Sequence, residues 1–191
     1  MILIRHGQTE FNRVFSMTRR DPGIRDPHLT EDGRRQAVEA ARALRDHPVR
    51  RLIASPYRRS LETAAIIAAR LGVPISVDAA VAERCVYACD IGSPLSELRA
   101  LWPDLVFDHL SDPWWPQQQE SEAAMAERCR LFRLRLTAGS YRQDGREVAV
   151  VTHWGFIRGL TGLAVPNGAV LRFDPTRPDI AAEPLFLPEP D

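Results

Sequence analysis

Ile4-Arg5-His6-Gly7 closes an apolar run that begins at Met1. The residue types in this tetrad suit phosphoryl transfer. A neutral imidazole is a competent nucleophile, so His6 is a candidate for attack on phosphorus. A guanidinium presents a planar fork of donors that matches phosphate oxygens, a role open to Arg5. Gly7 permits close backbone approach. On its own, such a triplet is more often only a turn at a strand end.

Three further segments place polar residues just after apolar runs that read as strands. In open α/β sheets that carboxyl edge is where ligands bind. Ser55-Pro56-Tyr57-Arg58-Arg59-Ser60 lies between a strand and the first turn of a helix. Backbone N–H groups there attract anions, and an arginine in that turn adds a bidentate contact. The competing reading is a solvated arginine pair. Val151-Thr152-His153-Trp154-Gly155 repeats the strand-to-helix passage. His153 can donate to a phosphate oxygen and stabilise transition-state charge, although a lone histidine in a turn is commonly structural. Val81-Ala82-Glu83-Arg84 supplies a carboxyl group. Protonated, Glu83 would serve a leaving oxygen; the alternative is an exposed glutamate paired with Arg84.

The elements that must position these residues alternate between strand and helix patterns. That order predicts a three-layer α/β/α sandwich, with a mostly parallel sheet and helices on both faces. Strands are expected over residues 1–5, 51–54, 75–77, 147–152 and 169–173, with an edge strand near 185–187. A helix is expected over 34–45, capped by Thr30, with Val38, Ala41 and Leu44 inward. Another starts at Ser55-Pro56 and ends at Gly72, with Leu61, Ala64, Ala65, Ala68 and Leu71 inward. A third spans 121–141 on an inner stripe of Met125, Cys129, Phe132 and Leu136, and a fourth 156–164. Residues 6–29 read as a polar loop. The proline-rich stretch at about 84–119 reads as a cap-like excursion from a single domain spanning 1–191. Its Trp102, Trp114 and Trp115 either fill a core, as aromatics of this size usually do, or wall the site for a substrate with a hydrophobic body.

Composition narrows the function classes. The chain has 191 residues and a formal net charge of +0, so it lacks an electrostatic footprint for nucleic acid or an anionic membrane. No apolar run approaches a membrane span. No secretory n-region precedes the first apolar run, and a cytoplasmic protein is expected. Three cysteines make neither a disulfide framework nor a zinc-finger pattern, and no metal site is expected. All 25 basic residues are arginine. Without lysine there is neither Schiff-base chemistry nor an intact P-loop.

Taken in order, these segments resemble the histidine phosphatase superfamily, the phosphoglycerate-mutase-like fold. Arg5-His6-Gly7-Gln8-Thr9-Glu10-Phe11-Asn12 matches the Arg-His-Gly-x-Thr-x-x-Asn signature. Leu29-Thr30, Gly33 and Gln36-Ala37 match the start of its first helix. Ser55 to Ala64 match its Ser-x-Leu-x-Arg-Ala-x-x-Thr-Ala block, which puts Arg59 rather than Arg58 at the phosphate position. Val81-x-Glu83 fits the proton-donor segment, Glu120-Ser121 with Glu122 and Arg128 the Gly-Glu-Ser segment, and Thr152-His153 the second histidine.

The resemblance implies that His6 becomes phosphohistidine while Arg5, Arg59 and His153 hold the phosphoryl oxygens. Asn12 and Thr9 of the signature help place the phosphate, and the backbone of Trp154 reaches it. Glu83 protonates the leaving alcohol, and no metal or other cofactor takes part. The substrate is a small phosphorylated molecule and inorganic phosphate a ligand; the oligomeric state is left open. Nearby cations keep His6 neutral.

The chain also departs from the family pattern. Trp154 replaces the small residue after the second histidine, and residues 84–92 lack the usual Gly-x-Trp-x-Gly. The loop over 13–28 carries Arg13, Arg19, Arg20 and Arg25, which are solvated or meet an anionic substrate. A phosphomonoester hydrolase fits best. The alternatives are a phosphoglycerate mutase-type phosphotransferase, disfavoured by the absence of lysine, and a non-catalytic phospho-ligand binding module.

Overall fold

A computed structural model describes residues 1–140, 147–177 and 180–189. β1 (Ile2–Arg5), β2 (Val49–Ala54), β3 (Ile75–Val77), β4 (Glu147–Thr152), β5 (Val170–Arg172) and β6 (Glu183–Phe186) form one sheet in the order β3-β2-β4-β1-β5-β6. β1, β2, β3 and β4 run parallel, and β5 and β6 add an antiparallel margin. Alternate side chains point to opposite faces. Ile2, Ile4, Leu52, Ala54, Ala149 and Val151 bury one face against α2 (Glu31–Ala43), α3 (Arg58–Leu71) and α4 (Leu95–Leu101). Leu3, Ile53, Val148 and Val150 bury the other against α5 (Glu122–Arg135) and α6 (Trp154–Thr161). Burial on both faces explains why these strands read as continuous apolar runs.

Register assembles the site. Arg5 pairs with Thr152 and Ala54 with Val151, so the residues that follow each strand emerge side by side. The His6 N–H donates to the Thr152 carbonyl at 3.0 Å, and the Ser55 N–H to that of Val151 at 3.1 Å. His6 and His153 therefore meet, their ring centroids 5.1 Å apart. At the same edge the backbones of Gly7 and Gly33 touch. A Cβ on Gly7 would stand 2.2 Å from the Gly33 carbonyl oxygen, and one on Gly33 would stand 2.0 Å from that of Gln8. Glycine at both positions lets the first turn of α2 press against the strand-end tetrad.

Several expectations shift. The segment after Gly7 is not all loop: α1 (Glu10–Thr18) forms behind a capping box between Thr9 and Asn12. α2 keeps its Thr30 cap, but its inner face is Ala37, Ala40, Ala41 and Leu44, while Val38 is half-buried. α3 begins at Arg58, because Ser55, Pro56 and Tyr57 finish the strand exit. Its deepest stripe is Leu61, Ala64 and Ile67, with Ala65, Ala68 and Leu71 at the margin; Ile67 alone contributes roughly 2 kcal/mol by full burial. The excursion over 84–119 contains α4, whose Leu95 and Leu98 join the core. α5 buries the stripe Met125, Cys129, Phe132 and Leu136 and continues as a π turn over Leu136–Ser140; Tyr141, its expected end, lies outside the described residues. α6 starts at Trp154, earlier than its apolar pattern suggests. Trp114 is buried in the core, its ring against Tyr57 at 4.7 Å and its indole N–H donating to the Ser93 carbonyl. Trp102 and Trp115 pack beside the same core, as the core-filling reading of the tryptophans expects.

Candidate active site

A cavity of about 590 Å³ opens at the carboxyl edge of β1, β2 and β4. Arg5, His6, Thr9, Asn12, Arg59, Glu83 and Trp154 all border it. Of the sequence-derived set, His153 alone stands behind the wall, fully buried.

His6 is almost completely buried. Its Nδ1 lies 2.7 Å from the Gly7 carbonyl oxygen. A carbonyl only accepts, so Nδ1 carries the hydrogen and Nε2 keeps its lone pair. Burial lowers the His6 pKa well below the usual imidazole value, with Arg59 and then Arg5 adding to the effect. The ring is thus neutral with one nitrogen available for attack.

Arg59 is held on three sides. Its Nε donates to His153 Nδ1 at 3.2 Å, Nη1 to the Cys89 carbonyl at 2.7 Å and Nη2 to Asp90 Oδ1 at 3.1 Å. The guanidinium lies 4.2 Å from the centre of the Tyr57 ring. Three of its five N–H groups are used, which leaves two for a ligand in the cavity. Asp90 is equally anchored, its Oδ2 accepting from the Val86 and Tyr87 N–H groups at 3.0 Å each. Because His153 Nδ1 accepts from Arg59, its Nε2 carries the hydrogen and donates to Ser55 Oγ at 2.8 Å. Burial, then Arg59, depress the His153 pKa. In this arrangement His153 touches Arg59 and does not itself line the cavity. Arg5 is braced through Nη1 on the Val165 carbonyl at 2.6 Å.

Glu83 is not an exposed partner of the Arg84 side chain. Its Oε1 accepts from the Arg84 backbone N–H at 2.8 Å and the Gly155 N–H at 3.0 Å. Desolvation, reinforced by Asp90, raises its pKa. A Cβ on Gly155 would fall 2.4 Å from Glu83 Oε1, so glycine at 155 is what lets the carboxylate seat on that N–H. Arg128 fixes the turn that leads into Glu83, donating to the carbonyls of Ala80 and Ala82 at 3.1 and 2.7 Å, and is itself gripped by Glu120 at 3.0 and 2.6 Å. The Arg84 guanidinium turns away to the Glu120 carbonyl and Glu122.

Asn12 Oδ1 accepts from the Thr9 N–H, the Thr9 hydroxyl and Asn167 Nδ2 at 3.1, 2.8 and 3.2 Å. Its Nδ2 is then the group that remains for a ligand. Trp154 is 38% exposed, with the Arg158 guanidinium 5.1 Å from its ring. Sequence reasoning missed Asn167, which also donates to the His6 carbonyl, and Asp90. Neither carries a local signal, since each acts on a residue far away in the chain. Among the described residues no group of three or more His, Cys, Asp or Glu could hold a metal ion.

Comparison with known proteins identifies the family. The chain is 31% identical over 186 residues to glucosyl-3-phosphoglycerate phosphatase of Mycolicibacterium vanbaalenii, covering 90% of this chain and 78% of that protein. It is 28% identical to phosphoglycerate mutase-like protein 4 of Arabidopsis thaliana, covering 87% and 71%. The solved structure of a mycobacterial glucosyl-3-phosphoglycerate phosphatase with VO3 superposes with a TM-score of 0.61 at 25% identity, covering 96% of each chain. The profile of the histidine phosphatase superfamily (branch 1) matches residues 1–177. With that match over residues 1–177, a chain that gathers a buried histidine after β1, Arg5 at the end of β1, Arg59 in the first turn of α3 and a desolvated Glu83 around one cavity belongs to the histidine phosphatase superfamily.

Proposed function

We propose that this protein hydrolyses phosphomonoesters through a phosphohistidine on His6. The observation that carries this reading is the bond from His6 Nδ1 to the Gly7 carbonyl, which leaves Nε2 bare at a cavity bordered by Arg5 and Arg59. Nε2 attacks phosphorus and forms a P–N bond as the P–O bond to the alcohol breaks. Arg5, the free N–H groups of Arg59 and Asn12 Nδ2 stabilise the equatorial oxygens. Protonated Glu83 gives its proton to the departing oxygen. Water then attacks the phosphohistidine and passes a proton to the Glu83 carboxylate, releasing inorganic phosphate and restoring both groups. Relatives named as phosphatases support hydrolysis. A phosphoglycerate mutase reading is not favoured, because the chain has no lysine with which to grip a substrate carboxylate as such mutases do. A cytoplasmic location is part of the proposal, in keeping with a sparse, odd set of three cysteines; no helix among the described residues is long and apolar enough to cross a membrane.

The test is hydrolysis of p-nitrophenyl phosphate in the presence of EDTA, with trapping of acid-labile phosphoprotein. His6→Ala is expected to remove the trapped species and to lower kcat at least about a thousandfold. Turnover that persists in His6→Ala would sink the mechanism, and loss of wild-type turnover on chelation alone would point to a metal-dependent route.

A further inference from the structure

The cavity is far larger than a phosphate ion. Its volume of about 590 Å³ falls in the range of sites that enclose a whole organic ligand. Beyond Asn12 it is walled by aromatic rings. Phe11 and Phe15, one turn apart on α1, stack at 5.4 Å, and Tyr87 leans on them at 5.7 and 5.2 Å. All three border the cavity, as do Val86 and Pro27. Tyr87 and Val86 are 42% and 38% exposed, large apolar groups left uncovered against a cleft. The apolar wall weighed for the tryptophans therefore exists, but α1 and the segment after Glu83 build it.

Arg19, at the left-handed C-cap of α1, borders the same cavity. The other cavity arginines are engaged, Arg5 by a carbonyl, Arg59 by Asp90 and Arg84 by Glu122. Arg19 is exposed and forms no ion pair among the described residues. Asn12, Phe15 and Arg19 follow at helical spacing along one side of α1. At the rise of an α-helix, Arg19 lies roughly 10 Å beyond Asn12.

We propose that the outer half of the cavity is a leaving-group subsite for a phosphomonoester whose apolar body ends in a second acidic group. α1 then works as a ruler, with a phosphate contact at Asn12, an apolar wall at Phe11, Phe15 and Tyr87, and a cation at Arg19. A polyhydroxylated body would find few partners there beyond the hydroxyls of Ser16 and Tyr87. The proposal rests on the reading that the phosphoryl group sits at His6.

Titration calorimetry on the intact protein with methyl-, butyl-, hexyl- and octylphosphonate tests the wall without requiring turnover. Kd is expected to fall about two- to fourfold per added methylene. Tyr87→Ala and Phe15→Ala should flatten that slope; if Phe15→Ala fails to fold, the more exposed Tyr87 carries the test. 8-Phosphonooctanoate should bind roughly tenfold more tightly than octylphosphonate, and Arg19→Gln should remove that preference while keeping the chain-length slope. A Kd independent of chain length overturns the apolar subsite, and equal affinity for the two eight-carbon ligands overturns the role of Arg19. If inorganic phosphate and every phosphonate fail to bind, the His6 reading falls as well; if phosphate binds and the series is flat, only the subsite falls.

Discussion

The inner end of the cavity and its outer end are built in opposite ways. At the inner end every polar group is fixed by another: His6 by Gly7, Arg59 by His153, Cys89 and Asp90, and Glu83 by Gly155. These groups follow β1, β2 and β3, directly or after a short turn, and the two faces of that sheet are buried. The outer end is carried by α1, with Phe11 as its single buried residue, and by the irregular residues that follow Glu83. Its rings touch one another, and Tyr87 remains 42% exposed. The contrast separates two demands. Chemistry needs preorganised dipoles and charges on a rigid support, whereas choice of substrate is set by surface that can change without disturbing the sheet.

That contrast can be broken from the inside outwards. After His6→Ala, Glu83→Gln is expected to cost the most, lowering kcat about 10²- to 10⁴-fold on an alkyl phosphate. The loss should be much smaller on p-nitrophenyl phosphate, whose leaving group needs little protonation; an equal loss on both would remove Glu83 from the proton-transfer role. Asp90→Asn leaves Arg59 buried without its counter-ion, and a stability loss of about 3 kcal/mol is expected in urea unfolding. Added phosphate should restore stability more in this variant than in the wild type, since it supplies the missing charge.

The pH profile comes next. His6 must be neutral and its pKa is lowered, so the acid limb of kcat/KM moves below the ordinary imidazole range. Glu83 must be protonated and its pKa is raised, so activity persists above the ordinary carboxyl range and then falls about tenfold per pH unit. An acid limb at the ordinary imidazole value would contradict the His6 assignment, and an alkaline limb in the ordinary carboxyl range would contradict that of Glu83. The smallest effect belongs to the outer end: Val86→Ser, at an exposed position, should change stability by no more than about 0.5 kcal/mol. A loss comparable to that of Asp90→Asn would erase the distinction between the two ends.

Much of the inner end was legible in the sequence, because strand exits combine an apolar run with a punctuating polar residue. The inner stripe of α5 was legible too, since Met125, Cys129, Phe132 and Leu136 repeat at the helical period. α1 was less legible: Phe11, Val14 and Phe15 stand at helical spacing, but the helix is only 9 residues long and most of its other residues are exposed. A second signal was chemical: Thr9 and Asn12 at capping-box spacing. α4 is short and lies between Pro94 and Pro103, where punctuation outweighs three leucines. Asp90 and Asn167 needed the register of β1, β2 and β4 to bring distant segments together, and no local pattern encodes that.

The position of β1 bears on how the chain comes to life. Its parallel neighbour begins at Glu147 and its antiparallel neighbour at Val170. The strand that carries His6 is therefore enclosed only after almost the whole chain has joined the sheet, a non-local pairing that is slow to form. On the ribosome, the helices and strands between must be held together before the nucleophile has a pocket to stand in. Incomplete chains would thus carry His6 without its cavity, and the proposed phosphoryl transfer would await closure of the sheet around β1.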